Sequence, residues 1–461
     1  MSRATATPPA GRPVPSATTA PTAGATTSAR SGRPAQPDVA TSAVGTVVGP
    51  THRVSRQVRT ALEGSPGRMR LFGVLAALTA ALFGIVGATS LWSSAGALDR
   101  ADHNTAQVVR IQGIYADLVR ADADATNAFL VGGIENPAQR ADYDASIARV
   151  AAGIVDAAEA QPADRVALGR LNTQLQTYAS TVEEARVYNR QGLPIGAQYL
   201  TGAGQTLRAD VLPVVQALIN ANTKRAGTEF NAASNLTVPT IVGLLALAVL
   251  LMVMVWLARR THRYLNASIA SGALMVVIAL ALALVTLGSV GNQVTTVRNN
   301  DFAQTVALAT ARSAAFDAKS NESLTLIARG SGGRYETAWK TLSDQVNTAL
   351  YAGGPQGSAL QAQWKAYTDQ HVKIRAADDG GSWDDAVKAA VSTDSGSASA
   401  AFSAFDASLA KTLSASQTST EAALLAPVTW VTVLGWLLLL LCLAAALLVL
   451  RGIGQRVEEY R

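Results

Sequence analysis

The sequence predicts an all-α integral membrane protein with four transmembrane helices and two extracytoplasmic four-helix bundles, arranged as a tandem span–bundle–span repeat. Three observations predict this fold. Four runs of about 20 apolar residues contain no Asp, Glu, Lys, Arg or His, so each is long enough and apolar enough to cross a bilayer. The two long segments between these runs repeat apolar residues at helical spacing. The second long segment also resembles the first, as expected for a tandem duplication.

The segment before the first apolar run has two parts. Residues 1–50 are dominated by Ala, Thr, Pro, Gly and Ser, so we expect a disordered cytoplasmic tail that buries too little apolar surface to fold. Residues 51–70 are basic and form a juxtamembrane segment. This basic segment fits two roles, an anchor that contacts anionic lipid or a docking site for a cytoplasmic partner.

The distribution of arginine predicts how the spans cross the membrane. We expect spans at 71–92, 236–257, 269–290 and 428–450. Arginine is concentrated before the first span, in the loop at 258–268 and in the tail at 451–461. The long segments at 93–235 and 291–427 instead carry slightly more acids than bases. Because basic residues stay on the cytoplasmic side, we expect a multi-pass cell-membrane protein with both termini in the cytoplasm.

Glycine and proline divide each long segment into four predicted helices, because glycine favours helix ends and proline favours helix starts. Helix ends are predicted at 131–137, near 160–162 and at 190–194 in the first segment, and at 330–333, 353–357 and 378–381 in the second. We expect the first and fourth helices of each bundle to run on into the spans as a stalk. The turns after the first and third helices then lie together at the far tip of each bundle.

The two long segments share a sequence pattern. LNTQLQTY at residues 171–178 matches LQAQWKAY at residues 360–367. The register continues without a gap, so that Arg186 corresponds to Arg375. Both copies therefore place an arginine near the predicted tip of their bundle.

Catalytic and metal-binding patterns are absent from the sequence. The only cysteine, Cys442, excludes an intrachain disulfide, and the four histidines form no HExxH or HxH pair. The chain also contains no GxSxG motif and no phosphate-binding P-loop. We therefore expect a protein that is not an enzyme and has no catalytic residue, no metal site, no cofactor and no nucleic-acid partner.

The tips and the cytoplasmic side are the predicted partner-binding surfaces. The tip residues are Ile134, Glu135, Arg186, Arg190, Leu193, Arg375, Asp378 and Trp383. An arginine at a tip can bind a ligand carboxylate through two parallel hydrogen bonds, or it can form an ordinary ion pair such as Arg186 with Glu183. Apolar tip residues fit either a protein interface or local capping of the bundle end. The cytoplasmic residues are Arg259, Arg260, Arg263, Arg456, Glu458, Glu459 and Tyr460.

Several stretches carry a resemblance to a known family. These are ADADATNAFLVGG at residues 121–133, RADYDASI at residues 140–147 and the tail GIGQRVEEYR at residues 452–461. With the four spans and the two bundles, they make residues 68–461 resemble the GlnX-like membrane proteins of actinobacteria. The resemblance implies that a glutamine-type solute-binding lipoprotein captures aspartate or glutamate outside the cell. It also implies that the four-span protein relays this state to a cytoplasmic Ser/Thr kinase of the protein kinase G type, which controls nitrogen and glutamate metabolism.

These observations leave several functions open. The expected function is a transmembrane signal coupler for extracytoplasmic amino acids, held in the lipid bilayer. The alternatives are a direct small-molecule sensor with four-helix-bundle heads and a membrane scaffold protein. A transporter is disfavoured because the spans carry no ionisable residue at their midplane. The sequence leaves a monomer and a homodimer both open.

Overall fold

The structure is a computed structural model that describes residues 65–131, 135–261 and 267–458. The described residues form helices joined by short turns, with no strand among them. The helices are α1 (Ser65–Val131), α2 (Pro137–Ala160), α3 (Arg165–Arg190), α4 (Ile195–Thr206), α5 (Leu212–Ala233), α6 (Thr237–Thr261), α7 (Ala267–Thr296), α8 (Phe302–Ile327), α9 (Gly333–Ala352), α10 (Gly354–Ser358), α11 (Gln361–Asp379), α12 (Trp383–Val391) and α13 (Ala398–Glu458). The predictions for residues 1–64, Ile134, Arg263, Glu459 and Tyr460 lie outside the described residues. The all-α membrane-protein fold is confirmed.

Four apolar stretches of the described chain are long enough to cross a membrane, and they lie in α1, α6, α7 and α13. Small residues let these helices approach closely, which is typical of helix packing in membranes. A Cβ atom added to Gly84 of α1 would lie 2.5 Å from Cβ of Cys442 on α13. A Cβ atom added to Gly272 of α7 would lie 3.0 Å from the carbonyl oxygen of Ala445 on α13. The last helix therefore packs tightly against both α1 and α7.

Two helices run without interruption from the spans into the part of the molecule beyond them, which we call the head. The helix α1 has 67 residues, which corresponds to about 100 Å, and α13 has 61 residues. Pro427 lies inside α13 without ending it. The segment from α7 to α8 is also continuous, because the five residues Val297–Asp301 between them form a π-helical turn. Three of the four predicted helix continuations are therefore present.

The fourth continuation was predicted wrongly. The helix α5 ends at Ala233, and α6 begins at Thr237 after a short turn. Asn235 accepts a hydrogen bond from the backbone N–H of Thr237, which caps the new helix. Pro239 lacks a backbone N–H and is tolerated in the first turn of α6, where that donor would have no helical partner.

The predicted tip turns and middle turns are present, and the second bundle has one further break. Residues 392–397 separate α12 from α13. In this break, Ser392 and Asp394 bond to each other, and Gly396 has a φ of +82°, which favours glycine. The sequence STDSGS has no proline, and the prediction did not include this break.

The two bundles pack against each other through a polar cluster as well as an apolar core. Arg208 lies in the π-helical turn Leu207–Val211 that joins α4 to α5. Its Nη2 atom donates to Asp122 of the first bundle at 3.0 Å and to Asp317 of the second bundle at 2.5 Å. Asp406 of α13 likewise accepts hydrogen bonds from Arg120 and Arg312, one from each copy. The two copies therefore form one packed head.

Each bundle repeats one buried hydrogen bond. In the first bundle, the hydroxyl of Tyr178 donates to Asp122 of α1 at 3.2 Å. In the second bundle, the hydroxyl of Tyr367 donates to Glu322 of α8 at 3.1 Å. The two tyrosines occupy the same position in the matched sequence pattern, so the repeat extends from sequence to packing.

Candidate functional site

The tip of the first bundle brings together the end of α1, the start of α2 and the end of α3. The side chain of Asn136 accepts a hydrogen bond from the N–H of Ala138 at 2.9 Å, and Pro137 starts α2. At the end of α3, Asn189 donates from its Nδ2 atom to the carbonyl oxygen of Phe129 at 3.2 Å. This bond joins the end of α1 to the end of α3, as the predicted arrangement of helices requires.

A cavity of about 230 Å³ lies at this tip. It is lined by Ala125, Ala128, Phe129, Glu135, Pro137, Arg140, Arg186, Asn189 and Arg190. Three arginines and one glutamate supply all of the charges in this lining. Three of the predicted tip residues, Glu135, Arg186 and Arg190, therefore line one cavity.

Arg186 lines the cavity, and its side chain is only 9 % exposed. Its Nη1 atom donates to Oε1 of Glu183 at 2.8 Å, and its guanidinium lies 4.0 Å from the centre of the Tyr143 ring. The Nε and Nη2 atoms are buried and have no hydrogen-bond partner among the described residues. Oε1 of Glu135 lies 3.3 Å from Nη2 and forms an ion pair with it, but the direction of this contact does not give a hydrogen bond, and this oxygen makes no hydrogen bond among the described residues.

Glu183 is bound by two arginines, but it does not satisfy all of the hydrogen-bond donors of Arg186. Arg140 binds Asp144 through its Nε atom at 2.9 Å and binds Glu183 through both terminal nitrogens at 3.0 Å. Glu183 is therefore shared between Arg140 and Arg186. Burial raises the pKa of Tyr143 above its ordinary value, so the ring beneath Arg186 stays neutral.

The second bundle places Arg375 at the corresponding position, and this arginine forms ion pairs with three acidic side chains. Arg375 forms ion pairs with Asp378, with Asp379 at 2.5 Å and with Glu336 at 3.5 Å. In the matched register, Asp378 and Asp379 correspond to Asn189 and Arg190. The first bundle therefore lacks two of the three acids that pair with the arginine of the second bundle, and the acids near Arg186 are Glu183 at 2.8 Å and Glu135 at 3.3 Å.

Residues 97–231 match an actinobacterial sensor domain. The matched range begins in α1 and ends in α5, so it covers the first bundle together with its tip cavity. We call residues 97–231 the sensor domain. The match supports an actinobacterial sensor protein. No curated protein and no solved structure matches the chain.

The remaining predicted tip residues lie around the two tips. Arg190 and Leu193 are exposed at the tip of the sensor domain. In the second bundle, Trp383 is half-buried and donates from Nε1 to the carbonyl oxygen of Leu326 at 2.8 Å. The guanidinium of Arg329 lies 3.9 Å from the centre of the Trp383 ring. Trp383 therefore helps to close the end of its own bundle.

Those of the predicted cytoplasmic residues that the structure describes lie at the opposite end of the molecule from the sensor domain. Arg259 is exposed in the last turn of α6, and Glu458 is exposed at the end of α13. Arg260 and Arg456 belong to the same two helices. A cavity of about 320 Å³ between α1 and α13 is lined by Glu458 and also by Arg70.

Sequence reasoning missed the other two polar residues that line the sensor-domain cavity, Arg140 and Asn189. Arg140 has a local signal, because Asp144 follows it by four residues on the same helix face. Asn189 has no such signal, because its partner Phe129 is 60 residues away in the chain. Only the packing of α1 against α3 brings Asn189 and Phe129 together.

Proposed function

We propose that the protein is a non-enzymatic transmembrane signal coupler, with the head outside the cell and both termini in the cytoplasm. In this proposal it relays the extracytoplasmic aspartate or glutamate status from a glutamine-type solute-binding lipoprotein to a cytoplasmic Ser/Thr kinase of the protein kinase G type. The kinase then adjusts nitrogen and glutamate metabolism. The positive charge on the segments next to the spans supports this orientation.

The observation that carries the proposal is the continuity of α1 from the tip of the sensor domain through the apolar span. Along this path, α1 packs against the equally continuous α13, both in the head and between the spans. A packed pair of long helices switches between discrete arrangements rather than bending freely. A change at the tip is therefore able to reach the opposite membrane face.

The input requires a partner that binds one arrangement more tightly than the other. A shift from a ten-to-one to a one-to-ten balance needs about 2.7 kcal/mol, which a modest protein interface supplies. The tip offers the exposed side chains of Arg190, Leu193 and Ile195, a mixture of charge and apolar surface that suits such an interface. The resemblance to GlnX-like proteins supports a solute-binding lipoprotein as that partner.

The output requires a cytoplasmic docking surface. Arg259 and Glu458 present exposed charges of opposite sign at the ends of α6 and α13. The last helix continues beyond the predicted span at 428–450 as far as Glu458, and this continuation is the proposed docking contact. The binding of a kinase to this surface depends on the relative position of the ends of α6 and α13.

The test is a calorimetric titration of the full-length protein in lipid nanodiscs with the solute-binding protein, in the presence and absence of aspartate or glutamate. If the protein is a coupler, its affinity for the solute-binding protein changes several-fold when aspartate or glutamate is added. Leu193→Asp at the tip should weaken this binding. The matched change Val155→Asp, at another exposed apolar residue of the sensor domain, should leave it unchanged. An affinity that ignores the amino acid would instead identify a scaffold.

A further inference from the structure

We infer that the tip cavity of the sensor domain binds the carboxylate of a small molecule through Nε and Nη2 of Arg186, and that Glu135 stands beside this position as an internal competitor. The inference goes beyond the proposed coupling function, because the cavity binds its ligand without any protein partner.

The first argument is the unmet hydrogen-bonding capacity of Arg186. The Nε and Nη2 donors form one edge of the guanidinium, the edge that binds a carboxylate through two parallel hydrogen bonds. In this structure that edge is buried and makes no hydrogen bond, since its Nη2 atom has only the ion-pair contact with Glu135 at 3.3 Å, whereas the Nη1 donor is already bound to Glu183. Buried donors without partners are costly, so a ligand that satisfies both gains binding free energy.

The second argument is the comparison with the second bundle. Arg375 occupies the same register position and binds acids that its own chain supplies, Asp378 and Asp379. The sensor domain has Asn189 and Arg190 at these two positions, so it lacks two negative charges and gains one positive charge. Arg375 has three acidic partners, whereas Arg186 has two and keeps Nε and Nη2 without a hydrogen bond. A carboxylate is the group that satisfies both of these donors.

The third argument is the position of Glu135. Its Oε1 atom lies 3.3 Å from Nη2 of Arg186, yet both atoms lack a hydrogen bond. Glu135 precedes the capping residue of α2, so its backbone is outside the helix. A ligand carboxylate with better geometry displaces the Glu135 side chain from Arg186. This displacement acts on the residue that immediately precedes Asn136, the capping residue of α2.

The fourth argument is the size and lining of the cavity. Its volume of about 230 Å³ is below that of typical drug-sized pockets, which indicates a ligand of only a few carbon atoms. Ala125, Ala128 and Phe129 supply an apolar wall for the carbon skeleton. Arg140 is already paired with Asp144 and Glu183, but Arg190 adds positive charge at the same cavity, which favours an anion over a cation.

The test uses the full-length protein in nanodiscs with no solute-binding protein present. Acetate, succinate, L-aspartate and L-glutamate are titrated by calorimetry, and ethylammonium serves as the probe of opposite charge. We expect the carboxylates to bind and ethylammonium not to bind. The order of affinities among the four carboxylates distinguishes a simple acid from an amino acid.

Three variants locate the site. Arg186→Lys keeps the charge but removes the two-donor edge, and should weaken carboxylate binding by about tenfold or more. Glu135→Gln removes the competing charge and should strengthen binding several-fold. Arg375→Lys is the matched change in the second bundle and should leave the affinity unchanged. Thermal unfolding of each variant without ligand shows whether the fold is retained.

Two results would overturn the inference. One is the absence of carboxylate binding to both the wild-type protein and Glu135→Gln, because the latter is expected to gain affinity. The other is equal binding to the wild-type protein and a folded Arg186→Lys variant. Since no partner protein is present, either result leaves the coupling proposal standing, and a failure of coupling leaves this site standing.

Discussion

The imidazole ring of His371 stacks on the indole ring of Trp339, with centroids 3.5 Å apart and planes inclined by 9°. Each ring nitrogen of His371 is hydrogen-bonded to a carboxylate. The Nδ1 atom lies 2.8 Å from Glu322, and the Nε2 atom lies 3.2 Å from Glu336. Lys319 binds the other oxygen of Glu322 at 2.5 Å. The second bundle therefore holds a buried network of charges where the sensor domain has Val182 at the matched position.

The pKa values of this network move in opposite directions. Burial by itself lowers the pKa of His371, but the hydrogen bonds with Glu322 and Glu336 outweigh it and raise the pKa above its ordinary value. Burial raises the pKa of Glu322, but Lys319 and His371 outweigh it and lower the pKa to about 2. The stabilisation from His371 is complete below its unfolded pKa and is lost as the pH rises through the raised folded value. The stabilisation from Glu322 is lost as the pH falls toward 2.

We therefore expect the thermal stability of the full-length protein to fall as the pH rises above about 6.5, the unfolded pKa of histidine. His371→Gln should remove this decline and should lower the stability at pH 6 by about 3 kcal/mol, because a buried partner of Glu322 is lost. Thermal unfolding in detergent between pH 5 and 9 measures both effects. His103→Gln changes an exposed histidine and should keep the wild-type pH profile. A decline of the same size in His371→Gln would contradict the prediction.

The contact between Gly84 and Cys442 gives a second prediction. Gly84→Ala places a Cβ atom 2.5 Å from Cβ of Cys442, so α1 and α13 must separate, at a cost of about 1–3 kcal/mol. Gly288→Ala is the matched change in α7, where an added Cβ atom meets nothing within 4 Å. It should be neutral or stabilise by up to about 1 kcal/mol through helix propensity. Thermal unfolding in detergent compares the two variants, and equal stabilities would show that the helices do not pack as described.

Arg208 gives a third prediction, because it joins the two bundles. Arg208→Met leaves Asp122 and Asp317 without their shared cation in a buried site, and should destabilise the protein by about 3–5 kcal/mol. Adding Asp317→Asn should recover part of this loss, because it removes one of the unpaired charges. Arg100→Met breaks the more exposed pair with Glu229 and should cost about 1 kcal/mol or less. Denaturation of the four proteins is the measurement, and equal losses for Arg208→Met and Arg100→Met would refute the shared-cation account.

The continuity of α1 gives a fourth prediction, which depends on the proposed coupling function. One alanine inserted after Ala97 turns one part of α1 against the other by about 100°. Binding of the solute-binding protein at the tip should persist, while kinase-dependent phosphorylation should no longer respond to the amino acid. The matched insertion after Asn235 falls in an existing break and should preserve both. A signal that survives the Ala97 insertion would exclude relay through α1.

The sequence predicted the spans and nearly every helix end, because these features depend on local patterns. Apolar length defines a span, and glycine or proline ends a helix over a few residues. The same reasoning placed Glu135, Arg186 and Arg190 at one tip. It missed the break at 392–397, where side chains of serine and aspartate replace the helical hydrogen bonds. It also missed the turn between α5 and α6, where Asn235 caps the second helix.

The sequence by itself determined an all-helical membrane protein with a duplicated head and an arginine at each tip. Hydrophobic period and the positions of glycine and proline are sufficient for this, because they act within a few residues of the chain. Only the tertiary structure decided which arginine keeps two buried donors without a hydrogen bond. Arg186 and Arg375 occupy the same register position, and their difference depends on acids from neighbouring turns and helices. Hydrogen bonding depends on distance and direction in space, so packing determines which donors are satisfied and which remain available to a ligand.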